Sequence, residues 1–148
     1  MTRIGVAVLG STGSIGQSTL AVLDRLRDRF EVVALTAHRN VAALAEQVAR
    51  FRPRVAVVRE PGNPLPVGGP TEWRTGGDAI VEVAVRDDVA LVVNALVGAA
   101  GLEPTVRALE AGKRVALANK ESLVIGGPLV RAARTRGGGT LVPVDSEH

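Results

Sequence analysis

Three observations predict a doubly wound parallel α/β sheet of about six strands. Apolar runs too short for helices alternate with segments whose apolar residues recur at helical spacing. The first run opens onto a glycine-rich turn followed by a helix pattern, and the polar clusters fall where strands end, where open α/β sheets keep their ligands.

Arg3 to Leu9 is continuously apolar after its arginine and is stopped by Gly10, so it reads as a strand buried on both faces. Ile15, Leu20, Val22, Leu23 and Leu26 then mark a helix over about 14–28. Phe30 to Ala37 is the second strand. Asn40 suits a helix N-cap, and Val41, Leu44, Ala45, Val48 and Phe51 form the stripe of a helix that Pro53 stops. Arg54 to Val58 is the third strand. Residues 60–74 hold four prolines and three glycines and read as a surface loop of low regular structure.

Residues 77–85 suggest a short helix, Val89 to Asn94 a fourth strand, and Glu103 to Ala111 a helix closed by Gly112. Arg114 to Ala118 is the fifth strand, Pro128 to Arg136 the last helix and Thr140 to Val144 the sixth strand. Right-handed crossovers give the strand order 3-2-1-4-5-6.

The 148 residues suffice for one domain with a real core. The chain has no cysteine, which excludes disulfides, Cys-ligated zinc, iron–sulfur clusters and thiol nucleophiles. Phe30, Phe51 and Trp73 are its only aromatic residues, too few for the stacking platforms of single-stranded nucleic-acid binders. The net charge is +3, and residues 1–60 carry nine arginines against five acids. Such arginines are usually solvated, although a few could meet an anionic ligand. No apolar run approaches a membrane span, and Met1 to Arg3 lead straight into a strand pattern without a signal-peptide layout. The expectation is a soluble cytoplasmic protein with neither nucleic acid nor membrane as partner.

Gly10-Ser-Thr-Gly13-Ser-Ile-Gly16 lies between the first strand and the first helix, where a Rossmann-like sheet holds a dinucleotide pyrophosphate on backbone N–H groups. Its spacing is G-x-x-G-x-x-G, and a tight turn serving only packing is the alternative. No Gly-Lys-Ser/Thr follows, so it is not a Walker loop. At the end of the second strand no acid awaits a ribose 2′-hydroxyl; His38-Arg39-Asn40 stand there instead. A guanidinium suits a 2′-phosphate, so NADPH is favoured, with His38 flanking; a solvated Arg39 is the alternative.

Three further segments sit at strand ends: 94–101, Asn119-Lys-Glu-Ser122 and Asp145-Ser-Glu-His148. Lys120 suits a phosphate or hydroxyl, or forms a surface pair with Glu121. In an extended chain Asp145 and Glu147 share a side, where a hard cation such as Mg²⁺ or Mn²⁺ would relieve their repulsion. The alternative is an Asp-initiated turn.

These segments, with Ala37-His-Arg-Asn40, Val97-Gly-Ala-Ala-Gly-Leu102, Ala118-Asn-Lys-Glu-Ser-Leu123 and Val142-Pro-Val-Asp-Ser-Glu-His148, occur in order at strand ends. Together they resemble the 1-deoxy-D-xylulose 5-phosphate reductoisomerase family over essentially the whole chain. The resemblance implies an enzyme of non-mevalonate isoprenoid biosynthesis. It would rearrange a ketose phosphate and reduce the resulting aldehyde with NADPH to 2-C-methyl-D-erythritol 4-phosphate, with a divalent metal on the substrate oxygens. It places Thr12, Gly13, Ser14, Ile15, His38, Arg39, Asn40, Asn119 and Glu121 on NADPH. Lys120, Ser146 and Glu147 would meet substrate, Lys120 and Glu147 being the catalytic candidates, and Asp145 and Glu147 would bind the metal. Family members often carry glycine where His38 stands, so only its backbone role is carried over.

The resemblance further implies a homodimer as the full-length protein, with a catalytic and a C-terminal helical domain beyond these residues. Residues 1–148 are thus expected to be an NADPH-binding domain that binds cofactor without turnover. A stand-alone NADP(H)-binding module and another NADP-linked Rossmann oxidoreductase are the competing readings. A semialdehyde dehydrogenase would need a cysteine and a short-chain reductase a Tyr-x-x-x-Lys pair, and the chain has neither Cys nor Tyr.

Overall fold

The computed structural model describes residues 2–118 and 120–144. These form one seven-stranded parallel sheet with helices on both faces. The strands are β1 (Ile4–Leu9), β2 (Phe30–Ala37), β3 (Val55–Val58), β4 (Glu72–Thr75), β5 (Leu91–Asn94), β6 (Arg114–Leu117) and β7 (Thr140–Pro143). The helices are α1 (Ser14–Arg25), α2 (Val41–Phe51), α3 (Gly77–Ala84), α4 (Leu102–Glu110) and α5 (Lys120–Gly137), with a 3-10 turn over Gly98–Gly101.

The sheet order is β4-β3-β2-β1-β5-β6-β7. Without β4 this is the 3-2-1-4-5-6 order expected from the alternation. The extra strand corrects the reading of residues 60–74 as irregular: the segment ends in β4, paired parallel to β3 from Val55↔Glu72 to Val58↔Thr75. Glu-Trp-Arg-Thr escapes an apolar-run criterion because an edge strand is bonded on one side and stays half exposed. The buried Thr71 hydroxyl anchors its start by donating to the Pro53 carbonyl at 2.6 Å.

Side chains alternate across β1 and thereby build two cores. Val6 and Val8 face Leu20 and Leu23 of α1 and Val41 and Leu44 of α2. Ala7 and Leu9 face Ile80 and Val83 of α3, Ala108 and Leu109 of α4, and Val130 and Ala133 of α5. β1 runs through the middle of the sheet, with β2 and β5 on its flanks. That position explains its unbroken apolar run.

The last helix begins eight residues before its expected start at Pro128. α5 spans Lys120–Gly137 with Pro128 inside it and a non-helical Gly126. The proline supplies no N–H to the turn before it, so the helix kinks there instead of beginning there. The kink is also a packing site, since a Cβ on Gly126 would lie 2.3 Å from Leu102 Cδ1 of α4.

At the end of the sheet where the strands begin, arginines and acids interlock. Asp88 receives Arg86 at 2.9 Å and Arg54 at 2.7 Å, and Arg54 also reaches Glu31 at 3.3 Å. The Arg86 hydrogen bonds, aided by Arg54 and opposed by partial burial, hold the Asp88 carboxyl down at about 2. The Asp88 backbone presses on β1: a Cβ on Gly5 would lie 1.8 Å from its carbonyl oxygen.

A carboxyl lowered by folding adds stability that is complete above its unfolded value, near 3.8, and is lost as pH falls towards about 2. Asp88→Asn is therefore expected to cost on the order of 1–2 kcal/mol at pH 7, because solvent weakens a partly exposed ion pair. In denaturant unfolding the gap between variant and wild type should narrow as pH drops through that window. Gly5→Ala should cost about 1–3 kcal/mol at any pH, because the strand and the Asp88 loop must separate.

Candidate functional site

The turn after β1 is built by bonds to its neighbour strand. Gly10 adopts a left-handed φ of +77°, and its N–H donates to Thr36 Oγ1 at 3.0 Å. The Ser11 N–H donates to the Thr36 carbonyl at 2.8 Å. Ser11 Oγ sits 2.7 Å from Gln47 Oε1 and 3.3 Å from the Thr36 carbonyl, and the Gln47 amide donates back to the Ser11 carbonyl at 2.8 Å. Ser11 and Thr36 are fully buried, so these bonds cannot be exchanged for water without cost.

The three glycines do different work. A Cβ on Gly10 would lie 2.9 Å from the Ala95 carbonyl, and one on Gly16 only 2.3 Å from the Gly10 carbonyl and 2.5 Å from Ser11 Cα. Both positions are dictated by packing. Gly13 is exposed and extended (φ −77°, ψ 175°), and its Cβ would meet nothing nearer than 3.7 Å. Packing does not ask for this glycine. It is the N-cap residue of α1, no side chain caps that end, and the first turn holds no acid. The Gly13 N–H donates to the Gly10 carbonyl at 3.3 Å, and the first-turn N–H groups beyond it, with the helix dipole, favour an anion approaching from outside.

Thr12 and Ile15 are half-buried beside this opening and Ser14 is exposed. At the end of β2, adjoining the turn through Thr36, His38, Arg39 and Asn40 are all exposed. Asn40 caps α2: its Oδ1 accepts the Ala43 N–H at 3.0 Å. His38 Nε2 and Arg39 Nη1 both approach Glu60 Oε2, at 3.7 and 3.9 Å.

A cleft of about 540 Å³ opens along the same edge, lined by Ala37 and His38, by Arg59 and Asp78, and by Leu96 and Val97. Its far wall depends on Asn94, fully buried at the end of β5. Asn94 Nδ2 donates to the Gly101 carbonyl at 2.9 Å and to Thr105 Oγ1 at 2.8 Å, and its Oδ1 accepts the Leu96 N–H at 3.1 Å. The 94–101 segment is thus a folded wall whose polar anchor is satisfied internally.

The structure puts Thr12, Gly13, Ser14 and Ile15 after β1 and His38, Arg39 and Asn40 after the neighbouring β2, the two strand ends being joined through Thr36. Lys120 and Glu121 open α5, after β6 on the other side of β1. Asn119, Asp145, Ser146 and Glu147 lie outside the described residues. Among the described residues no group of three or more His, Cys, Asp or Glu could hold a metal. Two supporting residues escaped the sequence reading. Thr36 and Gln47 are polar positions in an apolar strand and an apolar-striped helix, and that interruption was the available signal.

A sequence model described as 1-deoxy-D-xylulose 5-phosphate reductoisomerase matches residues 6–127. The enzyme of that name from Dechloromonas aromatica is 49% identical over 97% of this chain and 38% of its own length. The solved structure of the Zymomonas mobilis enzyme in complex with NADPH superimposes with a TM-score of 0.92 at 46% identity, covering 99% of this chain and 40% of that one. A further reductoisomerase, solved with NADPH, fosmidomycin and magnesium, gives a TM-score of 0.87 at 37% identity over 95% of this chain and 36% of its own. The chain therefore spans well under half the length of the relatives it matches.

The glycine geometry separates stability from binding. Gly16→Ala should lower stability by about 1–3 kcal/mol in thermal or denaturant unfolding. Gly13→Ala should leave stability nearly unchanged and weaken binding of a dinucleotide by calorimetry, because its methyl group intrudes only on an incoming anion.

Proposed function

The chain belongs to the 1-deoxy-D-xylulose 5-phosphate reductoisomerase family, and from that premise we propose that it provides the NADPH-binding part of such an enzyme. The observation that carries this reading is the uncapped N-terminus of α1 behind an exposed Gly13, with Arg39 beside it at the end of β2. The whole enzyme would convert 1-deoxy-D-xylulose 5-phosphate to 2-C-methyl-D-erythritol 4-phosphate, with Mg²⁺ or Mn²⁺ as second cofactor. Bound NADPH supplies the hydride, and the divalent ion polarises substrate oxygens.

The chain's own residues divide the task. The N–H groups at Ser14 and Ile15 receive the pyrophosphate; Gly13, whose own N–H donates to the Gly10 carbonyl at 3.3 Å, leaves room for it, and Thr12 borders it. Arg39, with His38 beside it, receives the 2′-phosphate through charge-assisted bonds. Asn40 orders this corner by capping α2, which holds the Arg39 backbone in place. Asn119 and Glu121 complete the cofactor contacts; Lys120, Ser146 and Glu147 meet the substrate, and Asp145 with Glu147 holds the metal. A pair of carboxylates is the donor chemistry that hard divalent cations prefer. The same reading places the whole protein in the cytoplasm as a homodimer with a ketose phosphate substrate and neither nucleic acid nor membrane as partner.

Calorimetric titration tests the cofactor assignment. NADPH should bind more tightly than NADH, and Arg39→Ala should weaken NADPH by about 10–100-fold while changing NADH little, as expected for the loss of a charge-assisted pair. Equal affinity of the wild type for both cofactors would contradict the assignment.

A further inference from the structure

We propose that Glu60 sets the strength of the preference for NADPH over NADH, by competing with the 2′-phosphate for Arg39 and His38. The inference rests on the reading of Arg39 as the phosphate partner. One oxygen, Glu60 Oε2, lies 3.9 Å from Arg39 Nη1 and 3.7 Å from His38 Nε2. A phosphate oxygen pairing with Arg39 would have to compete with this carboxylate oxygen.

Glu60 is held there by its backbone. Beyond β3 the chain continues along the end of β2: the Arg59 N–H donates to the Ala37 carbonyl at 2.9 Å, the Glu60 N–H to the His38 carbonyl at 2.8 Å, and the Gly62 N–H to the Arg39 carbonyl at 3.3 Å. These bonds keep the Glu60 Cα beside His38 and Arg39 whichever way its side chain turns. The side chain itself is 61% exposed, so it can swing aside, but only as far as its stem allows.

The two cofactors meet this carboxylate differently. A 2′-phosphate carries up to two negative charges and must take Arg39 from Glu60 while its oxygens stay near a like charge. A 2′-hydroxyl carries no charge and can donate to a carboxylate. Glu60 therefore opposes NADPH without opposing NADH. It acts through its neighbours as a positioning and selectivity residue, and removing its charge should sharpen discrimination.

The test is calorimetric titration of NADPH and NADH into the wild type, Glu60→Gln and Arg39→Ala, at low and at physiological salt. Glu60→Gln should tighten NADPH by about two- to fivefold, the upper part of the range of an exposed charge pair, and leave NADH nearly unchanged. The gain should shrink at the higher salt. Unchanged or weakened NADPH binding, or equal tightening of both cofactors, would overturn the proposal. If Arg39→Ala costs NADPH selectively while Glu60→Gln leaves the NADPH/NADH ratio unchanged, the role of Glu60 alone falls. If Arg39→Ala shows no selective loss, the phosphate reading falls and this proposal with it.

Discussion

Two hydrogen bonds from the turn after β1 to Thr36, one from the Gly10 N–H and one from the Ser11 N–H, fix the geometry on which the site depends. They tie the exit of the central strand to its neighbour at a fully buried residue. With that corner fixed, Gly16 brings α1 against the turn and the helix start faces the sheet edge. Gln47 braces the same corner from α2 with both ends of its amide. A loose turn would still close the fold, but its N–H groups would point at no common place, and an anion would then pay to organise them.

Charge is divided between the two ends of the sheet. Where the strands begin, arginines are spent on acids: Arg54 and Arg86 on Asp88, Arg27 and Arg50 on Asp24. These contacts hold the ends of elements together, and Asp24 is lowered by its hydrogen bonds from Arg50 and Arg27. Where the strands end, the pairing is looser. Arg39 and His38 touch Glu60 only at long range, across exposed surface where an ion pair is weak. On the proposed reading such a pair would yield to a phosphate, whereas the interlocked arginines at the opposite end have little to offer a ligand.

Much of this was legible in the sequence, because parallel strands buried on both faces leave unbroken apolar runs. Strand order followed from handedness once the alternation was clear, and the glycine turn was placed by the strand before it. β4 was missed because an edge strand needs no apolar run, and the first half of α5 because Pro128 looks like a start when it is a kink. Of the proposed site, Arg39 and the turn were visible from residue type and position. Thr36, Gln47 and Glu60 were not, because their parts depend on contacts between segments distant in the chain. Which glycine packing does not require was equally hidden, since Gly10, Gly13 and Gly16 are alike as letters and differ in backbone conformation and in what a Cβ would strike.

The central claim is that a nicotinamide dinucleotide docks on the turn at Gly13 and on the adjoining end of β2. Amide NMR of the ¹⁵N-labelled chain during titration with NADPH tests it residue by residue. The account predicts shifts concentrated at Gly13, Ser14, Ile15 and Arg39, with Gly5, Arg54 and Asp88 unmoved. Shifts concentrated at the Asp88 end with Gly13 and Arg39 unmoved would contradict it.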